Sequence, residues 1–162
     1  MKINFRWSWK VIFYIYILLL INFIVFKFLG DINAVKSNIQ LQYENVQMGG
    51  SNVNLVPLRT LSSYVFGLDV GVSFINIVGN IVPFIPLGFV IPLAFPSQKP
   101  FMKTMISCLG IIICIEVIQL VTYLGNMDID DLILNQVSCV IGYSLYVVSE
   151  KILMNRRIDM SM

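Results

Sequence analysis

No histidine occurs anywhere in this chain of 162 residues. That excludes a His-ligated metal site and any imidazole acting as a catalytic base. Charge is scarce as well: 12% of the residues are Asp, Glu, Lys or Arg, about half the share of a soluble domain. A water-soluble fold needs polar side chains to cover its outside. A chain that is 57% hydrophobic, with a mean hydropathy of +0.82, instead requires lipid as its solvent. The net charge of +2 makes no case for nucleic acid. Cys108, Cys114 and Cys139 are the three cysteines. They lie in apolar runs, are odd in number and contain no C-x-x-C pair, so they read as small packing residues rather than a disulfide framework or zinc site. No G-x-S-x-G, Walker or dinucleotide fingerprint is present, and no internal repeat or low-complexity tract is evident.

What the chain does have is four apolar runs, at about 11–28, 72–95, 104–124 and 132–148. Each is near the ~17–25 residues that a helix needs to cross ~30 Å of hydrocarbon. Lipid admits only helices or closed barrels, because unpaired backbone groups find no water there. None of the runs alternates strictly, so helices are expected rather than a barrel. The expected fold is therefore an all-α membrane protein, a single domain with a four-transmembrane-helix bundle. Lys2, Arg6 and Lys10 give the first run a basic leader like that of a signal peptide. The run is long, however, and no A-x-A-like site follows it, so an uncleaved helix is expected.

Charge placement orients the runs. Lys2, Arg6 and Lys10 precede the first; Lys99 and Lys103 separate the second from the third; Lys151, Arg156 and Arg157 follow the fourth. By the positive-inside rule these segments are cytoplasmic, with both termini inside. The loop 125–131, with Asp128, Asp130, Asp131 and no base, then lies outside. The outer segment 29–71 is polar and rich in Asn and Gln over 31–54, with a turn signal at Gly49-Gly50. After Pro57, Leu61, Tyr64, Val65 and Leu68 follow i, i+3, i+4, i+7 spacing, which predicts a short amphipathic helix on the outer surface.

The candidate chemistry gathers near that outer face. Glu116 is the one ionisable group well inside an expected span, where an acid is expensive and marks function. Gln119 shares its helix face. Asn76 and Asn80 lie four apart in the outer half of the second run. Asp130 and Asp131 open the fourth, with Asn135 one turn in. These residues fall at similar depth on three helices, which points to an outward-facing polar pocket. Two structural readings stay open beside it: Asn and Gln joining helices by hydrogen bonds, and Asp128 or Asp130 capping the fourth helix. Asp128-x-Asp130-Asp131 offers carboxylates for a hard cation, but the calcium-loop pattern is missing, so no metal and no cofactor is assigned. Pro83, Pro86 and Pro92 remove three backbone donors from the second run and predict a broken helix. Ser138-x-x-x-Gly142 would let another helix approach closely.

At these residues the sequence resembles the VanZ-like membrane proteins. The likeness rests on Asn54-Leu55-Val56-Pro57-Leu58 with Thr60; Asn76 through Asn80 into Val82-Pro83-Phe84-Ile85-Pro86-Leu87-Gly88-Phe89; Glu116-Val117-Ile118-Gln119-Leu120; and Asp128-Ile129-Asp130-Asp131-Leu132-Ile133-Leu134-Asn135, then Gly142-Tyr143. Two places depart from the pattern: Gly125-Asn126 stands where the family often has Gly-Arg, and Asn135-Gln136-Val137-Ser138 where it tends to have Asn-Thr-Leu-Gly. The missing arginine removes a guanidinium from the pocket, a role that Arg59 would have to fill from the outer segment. The resemblance implies a multi-pass protein of the bacterial cytoplasmic membrane, linked in some relatives to teicoplanin or lipoglycopeptide resistance. The expected partner is a membrane lipid, a lipid-linked wall precursor or a glycopeptide antibiotic. Glu116 is the candidate acid or base. Asn76, Asn80, Gln119, Asp128, Asp130, Asp131, Asn135 and Arg59 are candidate ligand-binding residues. A carboxylate-dependent hydrolase or transferase, a small transporter and a structural partner of a larger complex are the alternatives. The sequence gives no oligomeric state.

Overall fold

The computed structural model describes residues 5–25, 32–66 and 70–159. It is mostly helical. In chain order, α1 spans Phe5–Val25, α2 Ile32–Gln47, α3 Arg59–Phe66, α4 Val70–Ala94, α5 Phe101–Val121 and α6 Ile129–Asp159. Two-residue strands, β1 at Val53–Asn54 and β2 at Met127–Asp128, pair in parallel, and a short 3-10 turn, Pro96–Gln98, links α4 to α5.

Among the described residues, three helices have segments long and apolar enough to cross a membrane: Asn76–Ala94, Phe101–Val121 and Ile129–Arg156. The first apolar run forms a shorter apolar helix over Trp7–Phe23. It packs on α4 through an edge-on ring contact of Trp9 with Phe89 (6.5 Å), and just past the end of α4 through one of Phe13 with Phe95 (5.0 Å). The fourth run proves longer than its apolar stretch. At 31 residues, α6 is about 46 Å long, well over the ~30 Å of a hydrocarbon core. Its excess lies past 148, where Lys151 and Arg156 are exposed.

The prolines do not break α4, which is one helix with Pro83, Pro86 and Pro92 inside it. Neighbours brace this stretch. The Tyr16 hydroxyl of α1 donates to the Pro83 carbonyl at 2.5 Å, and the Cys139 thiol of α6 lies 3.6 Å from the Phe84 carbonyl. Tyr16→Phe is expected to lower stability by about 1 kcal/mol, the usual net worth of one such bond, read by reversible unfolding in detergent.

The core joins α1, α4, α5 and α6, and its closest approach is the α4–α6 contact. Phe84, Leu87, Ile91, Cys108, Ile112 and Cys139 are all buried. Gly88 and Gly142 let the two backbones meet: a Cβ on Gly88 would overlap the Cys139 carbonyl, and one on Gly142 the Ile85 carbonyl. The small-residue face Ser138-x-x-x-Gly142 is therefore consumed inside the chain. Ser138 is fully buried, so this face is not offered to a second protein.

Helix α2 arises where the sequence shows only a polar tract. Val35, Ile39, Gln42 and Val46 form a half-buried stripe at i, i+4, i+7, i+11, and Gln40 bonds Glu44 at 2.8 Å. Its C-terminus explains the Gly49-Gly50 signal. Gly49 sits at φ 85°, the Gly50 N–H donates to the Asn45 carbonyl and the Gly49 N–H to the Val46 carbonyl, which is a Schellman ending. The amphipathic spacing after Pro57 does form a helix, α3.

Candidate functional site

The loop between α5 and α6 is built by two helix ends. Helix α5 closes with the Leu124 N–H on the Gln119 carbonyl (3.0 Å) and the Tyr123 N–H on the Leu120 carbonyl (3.4 Å). This is again a Schellman ending, but Tyr123 occupies the left-handed position at φ 57°. The strain of a residue with a Cβ there is held by tertiary contact: the Tyr123 ring meets Tyr43 of α2 edge-on at 5.5 Å.

Helix α6 opens with Asp128, whose Oδ1 accepts the Asp130 N–H at 2.9 Å, the geometry of an N-cap. The other Asp128 oxygen accepts from the Thr60 hydroxyl and from Asn54 Nδ2 (3.2 Å). Asn54 Nδ2 also reaches the Thr60 hydroxyl oxygen at 3.0 Å, and the register pairs Asn54 with Asp128.

Asp130, 1% exposed, turns to the start of α3. Its Oδ1 accepts the Leu58 N–H at 2.6 Å, and its Oδ2 the N–H groups of Thr60 (2.9 Å) and Leu61 (3.0 Å). Those are the orphan donors at the start of α3. The residues before α3, Val56-Pro57-Leu58, contain no capping side chain, so the cap comes from a residue about seventy positions away. The same bonds hold Leu58 at φ 65°, a conformation that a leucine adopts only when its surroundings impose it. Asn54 and Thr60 thus belong to the site, although their residue types alone did not mark them. The signal that would have found them is the uncapped start of an amphipathic helix.

Asp131 accepts a hydrogen bond from Asn80 Nδ2, which joins α4 to the head of α6. Asn76 lies half-buried one turn before Asn80 on α4. On α5, Glu116 is 3% exposed and Gln119 is 5% exposed. Both are turned into the protein rather than toward lipid. Glu116 lies about 8 Å from the end of α5 and Asn135 about 9 Å from the start of α6, at ~1.5 Å per residue. Asn135 is buried as well, and its Oδ1 has no hydrogen-bond partner. Arg59 is exposed at the first position of α3. The acidic loop is thus anchored: Asp128 and Asp130 bind residues 54–61 of the chain, Asp131 binds α4, and buried amide and carboxyl groups lie on α5 and α6.

These features define a helical membrane protein in which the segment before and at the start of α3 is tied by an acidic loop to the head of a tightly packed helix pair. The chain belongs to the VanZ/LLP1 family, whose model matches residues 13–152. It is similar to Protein VanZ of Enterococcus faecium, at 29% identity over 87 residues, which is 54% of this chain and 53% of that protein. The match spans about half of each. No solved structure matches the chain.

Proposed function

We propose that this VanZ-like protein binds or modifies a cell-envelope lipid, a lipid-linked wall precursor or a glycopeptide-type antibiotic through the polar cluster under its acidic loop. In a bacterial host this would contribute to teicoplanin or lipoglycopeptide resistance. The carrying observation is the burial of Glu116, Gln119 and Asn135 on the two helices joined by that loop. Polar and ionisable side chains inside a membrane span are costly to bury, and where they occur they face the protein interior and mark sites of function. In this reading Glu116 and Gln119 form the floor, Asn76, Asn80 and Asn135 the walls, and Asp131 the rim. Asp128 and Asp130 set the rim's shape by holding residues 54–61, and Arg59 stands at the entrance to meet an anionic group. The chain lies in the cytoplasmic membrane with α1 as a fourth span, both termini inside and the acidic loop outside, where such ligands are found.

A second reading makes Glu116 a general acid or base of a hydrolase or transferase acting on a lipid-linked substrate. What favours it is the burial of this carboxyl in the protein interior, away from lipid. The carrier alternative loses its main support, because α4 is unbroken.

Glu116→Gln keeps the shape and removes the charge. It is expected to insert normally and to lower the teicoplanin concentration that a producing strain tolerates to that of cells lacking the protein. Unchanged tolerance together with unchanged co-purified lipid would remove Glu116 from the mechanism. A change in envelope lipids, seen by mass spectrometry and abolished by Glu116→Ala, would select the enzyme reading over simple binding.

A further inference from the structure

A cavity of about 680 Å³ lies away from the polar cluster, between α1, the end of α4 and α5. Its walls are two apolar stripes. On α1 the stripe is Phe13, Ile17 and Ile21; on α5 it is Ile111, Cys114 and Ile118. Each wall continues one turn further into a lysine. Lys10 precedes Phe13 by three and Ile17 by seven, and Lys103 precedes the wall residues Ser107 by four and Gly110 by seven, so each shares its wall's face. Both lysines fall at the same end of the cavity. There the Lys10 ammonium lies 5.9 Å over the ring of Phe95, itself a wall residue. That end is also polar: Gln98 and Ser107 line it and hydrogen-bond to each other at 3.3 Å. Lys99, nearby in sequence, is already engaged by Glu150 at 3.1 Å. That hydrogen bond holds its pKa above the ordinary lysine value.

The dimensions fit one class of molecule. From Ser107 to Ile118 the α5 wall is about 17 Å long at ~1.5 Å per residue, close to half of the ~30 Å hydrocarbon core. The cavity is therefore as deep as one leaflet, apolar along its length and cationic at one end. We infer that it is a binding site for an anionic phospholipid, with one acyl chain between α1 and α5 and the headgroup phosphate between Lys10 and Lys103. Bulk acyl chains would fill any apolar groove in a bilayer. The pair of lysines, one from each wall, is what selects an anionic headgroup over a zwitterionic one. Gly110 makes room for the chain: it lines the cavity, and a Cβ there would meet nothing within 4 Å.

The test uses the purified full chain in detergent, titrated with phosphatidylglycerol or phosphatidylcholine and read by native mass spectrometry. The wild-type protein is expected to bind phosphatidylglycerol at least tenfold more tightly. Lys10→Gln and Lys103→Gln should each weaken it about fivefold and leave phosphatidylcholine unchanged. Gly110→Leu, which fills the groove from an open position, should weaken both lipids. Bound phosphatidylglycerol should also slow maleimide labelling of Cys114, whose neighbours Cys108 and Cys139 are buried. Equal wild-type affinity for the two lipids overturns the inference without recourse to any variant. So does a Lys10, Lys103 double variant that keeps full selectivity, or a Gly110→Leu variant that binds as before.

Discussion

Asp130→Ala is expected to destabilise the protein by about 3–5 kcal/mol and to release residues 54–61 from the head of α6. Its carboxylate accepts three backbone N–H groups, and hydrogen bonds to a charged acceptor are worth about 1.5–3 kcal/mol each. The full sum is not reached, because the freed segment lies at the surface and water satisfies part of it. Hydrogen exchange is the direct measurement. The amides of Leu58, Thr60 and Leu61 should lose protection in Asp130→Ala, while the α4 and α6 amides keep theirs. Asp130→Asn retains one acceptor oxygen and should fall between the two. Leu58→Pro provides an independent check: it removes the first N–H and cannot adopt φ 65°. It should therefore resemble Asp130→Ala in that segment even though the carboxylate is intact. If exchange at these amides is the same in all the variants, the clamp is not what orders residues 54–61.

Gly142→Leu carries the other large effect. At most positions a helical glycine gains stability when replaced, by about 1 kcal/mol of helix propensity. Here the sign reverses. A Cβ at 142 would overlap the Ile85 carbonyl and lie 3.1 Å from the Phe89 nitrogen, and backbone atoms of a packed helix cannot step aside as a side chain can. The only relief is to separate α4 from α6, and with them Phe84, Leu87 and Cys139 of the core. The expected loss exceeds about 3 kcal/mol, at or above the upper end for overpacking. It is measured by the denaturant needed to unfold the protein in mixed micelles. Gly142→Ala should show the same direction with a smaller loss. Gly110→Ala, with open space at its Cβ, serves as the control and should be neutral or stabilising. A Gly142→Leu protein as resistant as the wild type would show that the helices are not packed through this point.

Some misreadings of the sequence share one cause. The tract 31–54 reads only as polar, with no helix assigned, because its apolar residues are sparse, yet Val35, Ile39 and Val46 are spaced for a single face and α2 forms on them. The three prolines of α4 read as a break because the donors they remove are visible in the sequence. The contacts from Tyr16 and Cys139 that brace the helix are not. Ser138-x-x-x-Gly142 was correctly legible as a close-approach surface, but its partner proved to be α4 of the same chain. The acidic triplet is the clearest case. Asp128 caps α6, as the local reading allowed, while Asp130 caps α3 through bonds that span about seventy residues.

The sequence by itself determined the solvent, the helical class and the placement of polar residues near one end of the helices. Those follow from composition and from the cost of unpaired backbone in lipid, which act on every residue regardless of its distant neighbours. Only the tertiary structure decided which partners the acids take, where two backbones touch at Gly88 and Gly142, and where two apolar stripes with lysines at one end face each other. Those depend on which helix lies beside which. Hydrogen bonds, overlaps and cavities form between surfaces, and the sequence of one surface does not name the other.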